Sequence, residues 1–174
     1  MDVEKAIIFD SREQQHHHYT EKLSAMGYEL RREKLDAGDI TFIYGGKDYR
    51  GEWICERKKN LNELFSNIVG KDRKRIKAEF KRLLSVSVVI LLIEEKSREI
   101  ALMHLKKRNY KMNTHSFPIK FDTFLKYRNY ERSQVGMPPI KVVYCERSKT
   151  AETILGLINE YLIDINQQKS KPMP

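Results

Sequence analysis

Short apolar runs alternate with amphipathic stretches along most of the chain. The apolar runs predict strands at residues 5–9, 28–35, 40–44, 49–57, 86–93 and 140–145. Helical spacing of apolar positions predicts helices at residues 12–26, 61–69, 73–84 and 150–165, with one or two short helices within 100–132. This alternation predicts an α/β fold in which helices flank a mixed central sheet. We expect residues 1–168 to form a single domain and residues 169–174 a flexible tail.

Three of these elements also indicate their place in the fold. The run at residues 86–93 is nearly continuous and β-branched, which is typical of a strand in the interior of a sheet. The polar turn at residues 45–48 joins the strands on either side of it into a hairpin. The apolar stripe of the last helix, residues 150–165, has two interpretations, because it could close the core or form a dimer surface.

Composition excludes some classes of protein. The chain has 174 residues, of which 40% are hydrophobic and 33% charged, so it is neither disordered nor membranous by composition. Its longest apolar run, at residues 86–93, is far shorter than the roughly 20 residues that span a bilayer. Residues 1–5 lack the basic start and apolar core of a signal peptide, so we expect an intracellular protein without a membrane partner. Cys55 and Cys145 lie in strand-like runs and are predicted to be buried free thiols.

Positive charge is concentrated in two segments. The net charge is +9, and residues 57–82 contain ten basic and three acidic residues, while residues 98–132 contain nine and three. Such segments favour a polyanionic partner, here DNA. The candidate DNA-binding side chains are Arg57, Lys59, Arg73, Arg75, Lys106, Lys107 and Arg108. The tyrosines interleaved with basic residues at 106–111 and 126–130 could stack on unpaired bases, or they could lie on a solvated helical face that is partly in the core.

Charged residues meet at the open end of the predicted hairpin. With its turn centred near residues 46–47, Asp39 falls opposite Ile54 and diagonal to Glu56. Side chains alternate along a strand, so Glu56 and Lys58 share a face while Arg57 points the other way. Two carboxylates and an ammonium are therefore predicted to converge there.

This set has a chemical use in phosphodiester hydrolysis. Carboxylates can hold Mg²⁺ or Mn²⁺, which neutralises phosphate charge and activates water, and an ammonium can orient that water or stabilise the attacked phosphate. Asp10 ends the first strand and Glu13 follows it, so either could reach the same edge as a further ligand or supporting group. The candidate catalytic residues are Asp39, Glu56, Lys58, Asp10, Glu13 and Arg57, and the candidate metal ligands are Asp39, Glu56 and Asp10.

Each piece also has a simpler interpretation. Glu-Arg-Lys is common in solvated strands, Gly-Asp is typical of turns, and residues 10–13 could only cap a helix. The adjacent histidines at 16–18 point in different directions on a helix, so we expect a solvated or DNA-facing surface there and not a metal site. The order and spacing of the set, with basic helices directly downstream, favour the catalytic interpretation.

Several stretches also share the motifs of a known family. They are Ile8-Phe9-Asp10-Ser11-Arg12-Glu13, Leu35-Asp36-Ala37-Gly38-Asp39-Ile40, Cys55-Glu56-Arg57-Lys58 with Asn62, Arg75 with Glu79, and Leu91-Leu92-Ile93-Glu94. In these motifs the chain resembles the nuclease domain of the XPF family of structure-selective endonucleases. The resemblance covers residues 4–94 well and residues 140–165 weakly. It implies a restriction-endonuclease-like fold with a PD-(D/E)XK core.

The resemblance also implies roles for the matching residues. Asp39 and Glu56 would bind the metal, Lys58 would serve the nucleophile or the transition state, and Arg57 would contact DNA or brace the site. Arg12 would support the acidic residues beside it.

One residue departs from the family pattern. The last aspartate of the signature is Asn62 here, which keeps an oxygen but loses the charge. Glu63 would project about 100° further round a helix, which argues against its acting as a substitute.

Three functions remain open at this point. The first is a Mg²⁺- or Mn²⁺-dependent endonuclease that cuts branched, flap or junction DNA in recombination or repair. The second is a Holliday-junction resolvase on the same core, and the third is a DNA-binding scaffold with weakened catalysis, which only Asn62 supports. A homodimer or a heterologous protein partner is possible under each of them.

Overall fold

The computed structural model describes residues 4–13, 16–70, 72–108 and 116–170, with the backbone alone at Arg108. Its strands are β1 (Lys5–Asp10), β2 (Glu29–Glu33), β3 (Ile40–Tyr44), β4 (Lys47–Asp48), β5 (Trp53–Lys58), β6 (Val88–Ile93) and β7 (Lys141–Tyr144). The helices of these ranges are α1 (His17–Ala25), α2 (Leu61–Val69), α3 (Arg73–Arg82), α4 (Arg98–Arg108), α5 (Phe117–Gln134) and α6 (Thr150–Lys169).

The strands form one mixed sheet in the order β2-β1-β3-β5-β6-β7, with the short β4 paired to β3. β1 and β2 are parallel, as are β5, β6 and β7, whereas β3 is antiparallel to both of its long neighbours. The predicted mixed sheet is therefore confirmed, and the run at 86–93 supplies an interior strand. Because β3 runs against β1 and β5, its first residue lies at the sheet edge where those two strands end.

Helices cover both faces of the sheet. On one face, α2, α3, α4 and α5 pack over a core that includes Ile54, Leu91 and Ile93. On the other face, α1 and α6 pack over Trp53 and Cys55. The apolar stripe of α6 is buried in this second core, so it closes the fold and is not the dimer surface that the sequence allowed. Cys55 and Cys145 are buried free thiols, as predicted.

The hairpin differs from the prediction in its register. A tight turn at Gly45-Gly46 pairs β3 with the two-residue β4, and a second turn over residues 49–52 then precedes β5. Ile40 consequently pairs with Cys55, which brings Asp39 level with Glu56 and not with Ile54. The prediction of one continuous strand over 49–57 was wrong because Glu52 and Trp53 both donate their backbone N–H to the carbonyl of Tyr49 and form this turn.

Helix boundaries also differ from the predictions. Arg12 and Glu13 lie in a turn, and α1 begins only at His17, because the side chain of Asp10 binds the backbone N–H of Arg12 and holds this segment out of a helix. The short helices expected within 100–132 are α4 and the longer α5, of 18 residues. α6 continues to Lys169, so the predicted tail begins inside a helix, and residues 171–174 lie outside the described part. Within the described ranges, no helix is long and apolar enough to cross a membrane.

A buried arginine ties α5 to the turn before β6. Arg132 donates to the carbonyls of Leu83 (2.6 Å), Val86 (2.9 Å) and Pro138 (2.6 Å). Its burial lowers the pKa of the guanidinium. Arg132 therefore supplies donors to the carbonyls of Val86 and Pro138 in the loops, and a second donor to the carbonyl of Leu83, which already accepts from the N–H of Val86.

Gly38 allows the loop before β3 to approach β5. Its φ is +74°, and a Cβ placed there would lie 2.1 Å from Cγ2 of Ile54. We expect Gly38→Ala to lower the free energy of unfolding by about 2 kcal/mol or more, since it adds a steric clash in the core to the cost of the left-handed backbone. Urea denaturation followed by circular dichroism measures this loss.

Gly27→Ala is the matched control for this variant. Gly27 has a similar φ of +83° but nothing lies within 4 Å of the added Cβ. It should lose only the backbone contribution, about 1 kcal/mol. Equal losses in the two variants would contradict the close approach at Gly38.

Candidate active site

The predicted site residues lie at the sheet edge where β1, β5 and β6 end and β3 begins. Asp10 ends β1, Asp39 precedes β3, Lys58 ends β5 and Glu94 follows β6. The backbone binds these ends together, because Asp10 N–H donates to the carbonyl of Asp39 (2.8 Å) and Glu94 N–H donates to that of Lys58 (2.9 Å). The edge therefore presents side chains from four segments that are far apart in sequence.

Glu56 and Lys58 form a buried ion pair on one face of β5. The two residues are only 1% and 5% exposed, and Lys58 Nζ donates to Glu56 Oε1. Their common face follows from the two-residue repeat of a strand, as predicted. Burying such a pair costs desolvation energy that the Coulombic attraction does not reliably recover, so the pair is weak evidence for a purely stabilising role.

Asp39 joins this pair through the backbone of β5. Its Oδ2 accepts a hydrogen bond from the N–H of Arg57 (2.7 Å), and its own N–H donates to the carbonyl of Cys55 (3.0 Å). These bonds on either side of Glu56 hold the carboxylate of Asp39 beside it. The structure thus brings Asp39, Glu56 and Lys58 together more closely than the predicted diagonal arrangement.

The site strongly perturbs the pKa of each of these groups. Burial, reinforced by the charge of Glu56, raises the pKa of Asp39 well above its usual range. Burial together with neighbouring Glu79 raises the pKa of Glu56 to about 7, against the opposing effect of Lys58. Burial alone would lower the pKa of Lys58, but the carboxylates of Glu56 and Asp39 outweigh it and raise that pKa. Shifts of this kind cluster at functional sites.

Glu79 is a site residue whose position the sequence did not predict. It projects from α3, is partly buried, and its carboxylate adjoins that of Glu56. The spacing of Arg75 and Glu79 was the available signal, but it did not indicate which way the helix faces. Its neighbours Ile76 and Phe80 are buried in the core, and this orientation turns Glu79 towards β5.

Arg57 points to the opposite face and is almost completely buried. Its guanidinium forms ion pairs with Glu13 (2.9 Å) and Glu94 (2.9 Å) and lies 5.7 Å from the centre of the Tyr19 ring. The side chain is only 3% exposed, so the prediction that Arg57 contacts DNA is not supported. The structure favours the alternative role, in which Arg57 braces the site from behind.

Glu94 connects this brace to two helices. Its Oε1 lies 2.5 Å from Nε2 of His18 in α1 and accepts a hydrogen bond from the hydroxyl of Thr150 (2.8 Å) at the start of α6. His18 therefore belongs to the supporting network, and the expectation of a solvated surface was wrong for this residue. His16 is buried and His17 is exposed. Because α1 begins at His17 and not at residue 12, the three histidines occupy other positions than the predicted helix assigns to them.

Asp10 is held by hydrogen bonds to both of its carboxylate oxygens. Oδ1 accepts from the N–H of Arg12 (2.7 Å) and from its Nε (2.8 Å), while Oδ2 accepts from Arg12 Nη2 and from the N–H of Leu35 (3.2 Å). Although burial opposes it, hydrogen bonding to Arg12 lowers the pKa of Asp10. A role as metal ligand would require these bonds to break, so the geometry favours a positioning role for Asp10 in the loop that leads to Asp39.

A cleft of about 440 Å³ opens beside the buried carboxylates. It is lined by Arg12, Glu13, Arg57, Lys59, Asn60, Asn62 and Glu63. Most of these residues were singled out from the sequence as catalytic, supporting or DNA-binding. The cleft therefore places a partly basic, solvent-accessible opening next to the candidate chemistry.

Asn62 and Glu63 both lie at this cleft, in the first turn of α2. Oε1 of Glu63 comes within 3.9 Å of Lys58 Nζ, so Glu63 reaches the site despite its position one residue beyond the family aspartate. Its Oε2 accepts from the N–H of Lys59 (2.9 Å), while Asn60 Oδ1 accepts from the N–H of Glu63 (3.0 Å). This reciprocal capping fixes the start of α2 directly after β5.

The remaining predicted DNA-binding residues are more dispersed. Lys59 is exposed at the cleft, and Arg73 and Arg75 are exposed on α3. Lys106 and Lys107 are exposed near the end of α4, but neither lines the cleft. The side chain of Arg108 and all of residues 109–111 lie outside the described part of the chain.

The carboxylate donors suit a hard divalent cation such as Mg²⁺ or Mn²⁺ better than zinc. Among the described residues, no group of three or more His, Cys, Asp and Glu side chains is arranged to hold a metal ion. Mg²⁺ commonly uses only one or two carboxylates and leaves its other positions to water and phosphate. Asp39 and Glu56 could supply that minimum.

Comparisons with known proteins agree with this geometry. The family model described as the ERCC4 domain matches residues 9–166. No protein in a curated set of sequences matches the chain. Among solved structures, XPF from Aeropyrum pernix is similar with a TM-score of 0.55 and 16% sequence identity, covering 94% of this chain and 69% of that one.

A second structure of that protein, in complex with DNA, is similar with a TM-score of 0.52 and 15% identity. It covers 97% of this chain and 68% of the other. At such identities the structural likeness establishes the fold alone, and the family match establishes the relationship. The chain therefore belongs to the ERCC4 domain family, a family of DNA endonuclease domains, and has the fold of the XPF nuclease.

Proposed function

We propose that this domain is a Mg²⁺- or Mn²⁺-dependent endonuclease that cuts branched or junction DNA during repair or recombination. The observation that carries the proposal is the cluster of Asp39 with the buried Glu56 and Lys58, which lies beside an open, partly basic cleft. Membership of the ERCC4 family supports the endonuclease class. The preference for branched DNA rests on the resemblance to structure-selective nucleases.

The cluster holds one ammonium, that of Lys58, against the three carboxyl groups of Asp39, Glu56 and Glu79, which supports a cation site. Among the described residues, no donor reaches the buried Oε2 of Glu56. The neighbouring carboxylates of Asp39 and Glu79 instead raise the electrostatic cost of ionising this part of the site. A divalent cation between Asp39 and Glu56 would supply the missing partner, so the residues present fit the metal.

Each side chain of the site would have a separate role around the scissile phosphate. When bound, the cation would supply Lewis-acid stabilisation of the phosphate and lower the pKa of a bound water. Lys58 would keep its proton at neutral pH, orient the attacking water and stabilise negative charge developing on the phosphate. Arg57 would hold β5 and the carboxylate of Asp39 in place, and Lys59 would contact the DNA backbone at the cleft.

Asp39→Asn and Glu56→Gln are each expected to reduce Mg²⁺- or Mn²⁺-dependent cleavage by roughly a hundredfold or more, because each removes a proposed ligand charge. Labelled flap, fork and four-way DNA substrates, resolved on denaturing gels, measure the loss and show which junction is preferred.

Asp36→Asn makes the same chemical change on the same loop at an exposed side chain and should retain activity. If Asp39→Asn and Glu56→Gln cut as well as the wild type, the assigned site is wrong. If the wild type binds the substrates but leaves them uncut, the scaffold hypothesis replaces the proposal. A strong preference for four-way junctions would favour the resolvase alternative.

Glu56→Gln should also change how stability depends on pH in metal-free protein. The folded state holds the Glu56 proton up to about pH 7, whereas the unfolded state releases it near the usual 4.5. The folded wild type binds more protons within that window, so its stability falls as pH rises from about 4.5 to about 7. Glu56→Gln has no proton to release at this position and lacks this loss. Between about pH 4 and about pH 8, its free energy of unfolding should therefore rise by roughly 2–3 kcal/mol relative to that of the wild type.

Urea denaturation at the two pH values in EDTA measures this difference. Glu21→Gln, an exposed change on α1, should follow the wild type at both values. A stability difference between Glu56→Gln and wild type that is independent of pH would contradict the raised pKa.

Asn62→Asp tests whether the amide weakens metal binding. Restoring a carboxylate at the cleft should lower the Mn²⁺ concentration needed for half-maximal cleavage by roughly tenfold, because it adds negative charge beside the proposed ligands. Calorimetric Mn²⁺ binding without DNA provides an independent measurement. Asn166→Asp, at an exposed position on α6, is the control. If Asn62→Asp leaves the Mn²⁺ requirement unchanged, the side chain of residue 62 does not reach the metal.

A further inference from the structure

A groove of about 860 Å³ runs between α3 and α5, apart from the active-site cleft. Apolar groups of Ile68, Ile76 and Phe124 form part of its lining. The basic residues that line it are Arg73, Lys77, Lys81, Lys120 and Arg128. No acidic side chain of the described residues lines the groove, so its charge favours a polyanion.

Most of the basic side chains along this groove form no salt bridge with the described residues. Arg73, Lys77, Lys81 and Lys120 are exposed, and within the described ranges none of them forms a salt bridge. Arg128 differs, because it is 6% exposed and pairs with Glu131 at 2.6 Å. Four exposed cations on one groove raise the local concentration of phosphates without any cost of breaking internal ion pairs.

The same groove is lined by an exposed aromatic ring. Tyr127 lines it and is 54% exposed. The guanidinium of the buried Arg128 lies 4.7 Å from the centre of this ring and 5.6 Å from that of Phe124. Tyr127 is therefore held from one side while much of its surface remains accessible. Exposed aromatics beside cations are the usual means of binding unpaired bases, because every base has a face that can stack.

Basic residues continue from the groove across α3 to the active site. Successive residues on a helix are about 100° apart, so Lys77 and Lys81 on the groove side are followed round the helix by Lys74 and Arg82. Arg82 Nε donates to the carbonyl of Asp36 (2.7 Å), in the loop that carries Asp39. No acidic residue of α3 intervenes before Glu79, which adjoins Glu56 in the site itself.

We propose that this groove binds a single-stranded arm of the DNA substrate. Phosphates contact the exposed lysines of the groove, Lys77, Lys81 and Lys120, and a base stacks on Tyr127. The strand then crosses α3 towards Asp39 and Glu56. This inference rests on the proposed nuclease function and adds that the substrate carries an unpaired strand of several nucleotides next to the cut. An acidic protein segment would match the same charge, but the basic path into the active site favours a strand continuous with the one that is cut.

Fluorescence anisotropy with labelled oligodeoxythymidylate of about twelve nucleotides, in EDTA, tests the groove without cleavage. Lys77→Glu/Lys81→Glu should weaken binding at least tenfold and reduce the dependence of log K on log salt by about 1.4, since each lost phosphate contact contributes about 0.7 for a single strand. Tyr127→Ala should weaken binding roughly tenfold through lost stacking, and Tyr127→Phe should retain it.

Matched controls separate local contacts from total charge. Lys5→Glu/Lys169→Glu changes the net charge equally, at the start of β1 and the end of α6, and should weaken binding far less. Tyr130→Ala removes a ring of similar exposure, 60%, from the same helix outside the groove and should bind as wild type. The proposal is overturned if the groove variants bind the oligonucleotide as well as these controls do. It is also overturned if the wild type shows no measurable binding. Both results would make an acidic protein segment the better occupant of the groove.

Cleavage assays then distinguish this inference from the proposed function. Groove variants should cut a flap with a long single-stranded arm at least tenfold more slowly than the wild type, and the difference should shrink when the arm is only one or two nucleotides. Equal effects on both arm lengths overturn the inference while the nuclease assignment stands. A wild type that binds the oligonucleotide through the groove but cuts nothing leaves the groove in place and refutes the nuclease.

Discussion

The buried guanidinium of Arg57 is the interaction on which the rest of the site depends. A buried charge is tolerated only when its partners are complete, and removing one of them typically costs about 3–5 kcal/mol. Glu13 and Glu94 are those partners, and Glu94 also contacts His18, so the same ion pairs join α1, β5 and β6. Within the sheet, the backbone N–H of Arg57 donates to the carboxylate of Asp39, which precedes the neighbouring strand β3. One residue thus fixes the support behind the site and a proposed ligand in front of it.

The two sides of β5 differ in their electrostatics: the side of Arg57 has paired charges, and the side of Glu56 has an excess of carboxylates. Behind β5 the charges are satisfied by direct pairs, whereas in front of it Glu56 retains a buried oxygen without a donor among the described residues, next to other carboxylates. Such an arrangement costs stability and is typical of sites that are retained for function. The basic surface of α3 lies beside this acidic centre, so an approaching DNA strand meets attractive charge before it reaches the carboxylates. The paired charges on one side of β5 and the excess of carboxylates on the other suit the proposed cation site, and the basic surface of α3 suits the proposed DNA substrate.

Most elements of the fold could be predicted from local pattern, and the exceptions have specific causes. The predicted bounds of α2 agree with the observed ones, because its short amphipathic run ends where the structure has the Asn60 cap and Gly70. The first helix was predicted too early because the Asp10–Arg12 interaction competes with helix formation, and side-chain bonds of this type leave no periodic signal. The observed hairpin register differs from the predicted one because a second turn follows β4 in a stretch that alternates like a strand.

The sequence by itself determined which residues could share a face and which chemistry they could perform. The two-residue repeat of a strand places Glu56 with Lys58 and directs Arg57 away from them, wherever β5 lies in the sheet. Only the tertiary structure decided the partners from distant segments, including Glu79 beside Glu56 and His18 beside Glu94. Periodicity encodes the direction of a side chain relative to its own element, but not the packing of one element against another. That packing also decided that Arg57 is buried and that α3 and α5 leave a basic groove between them.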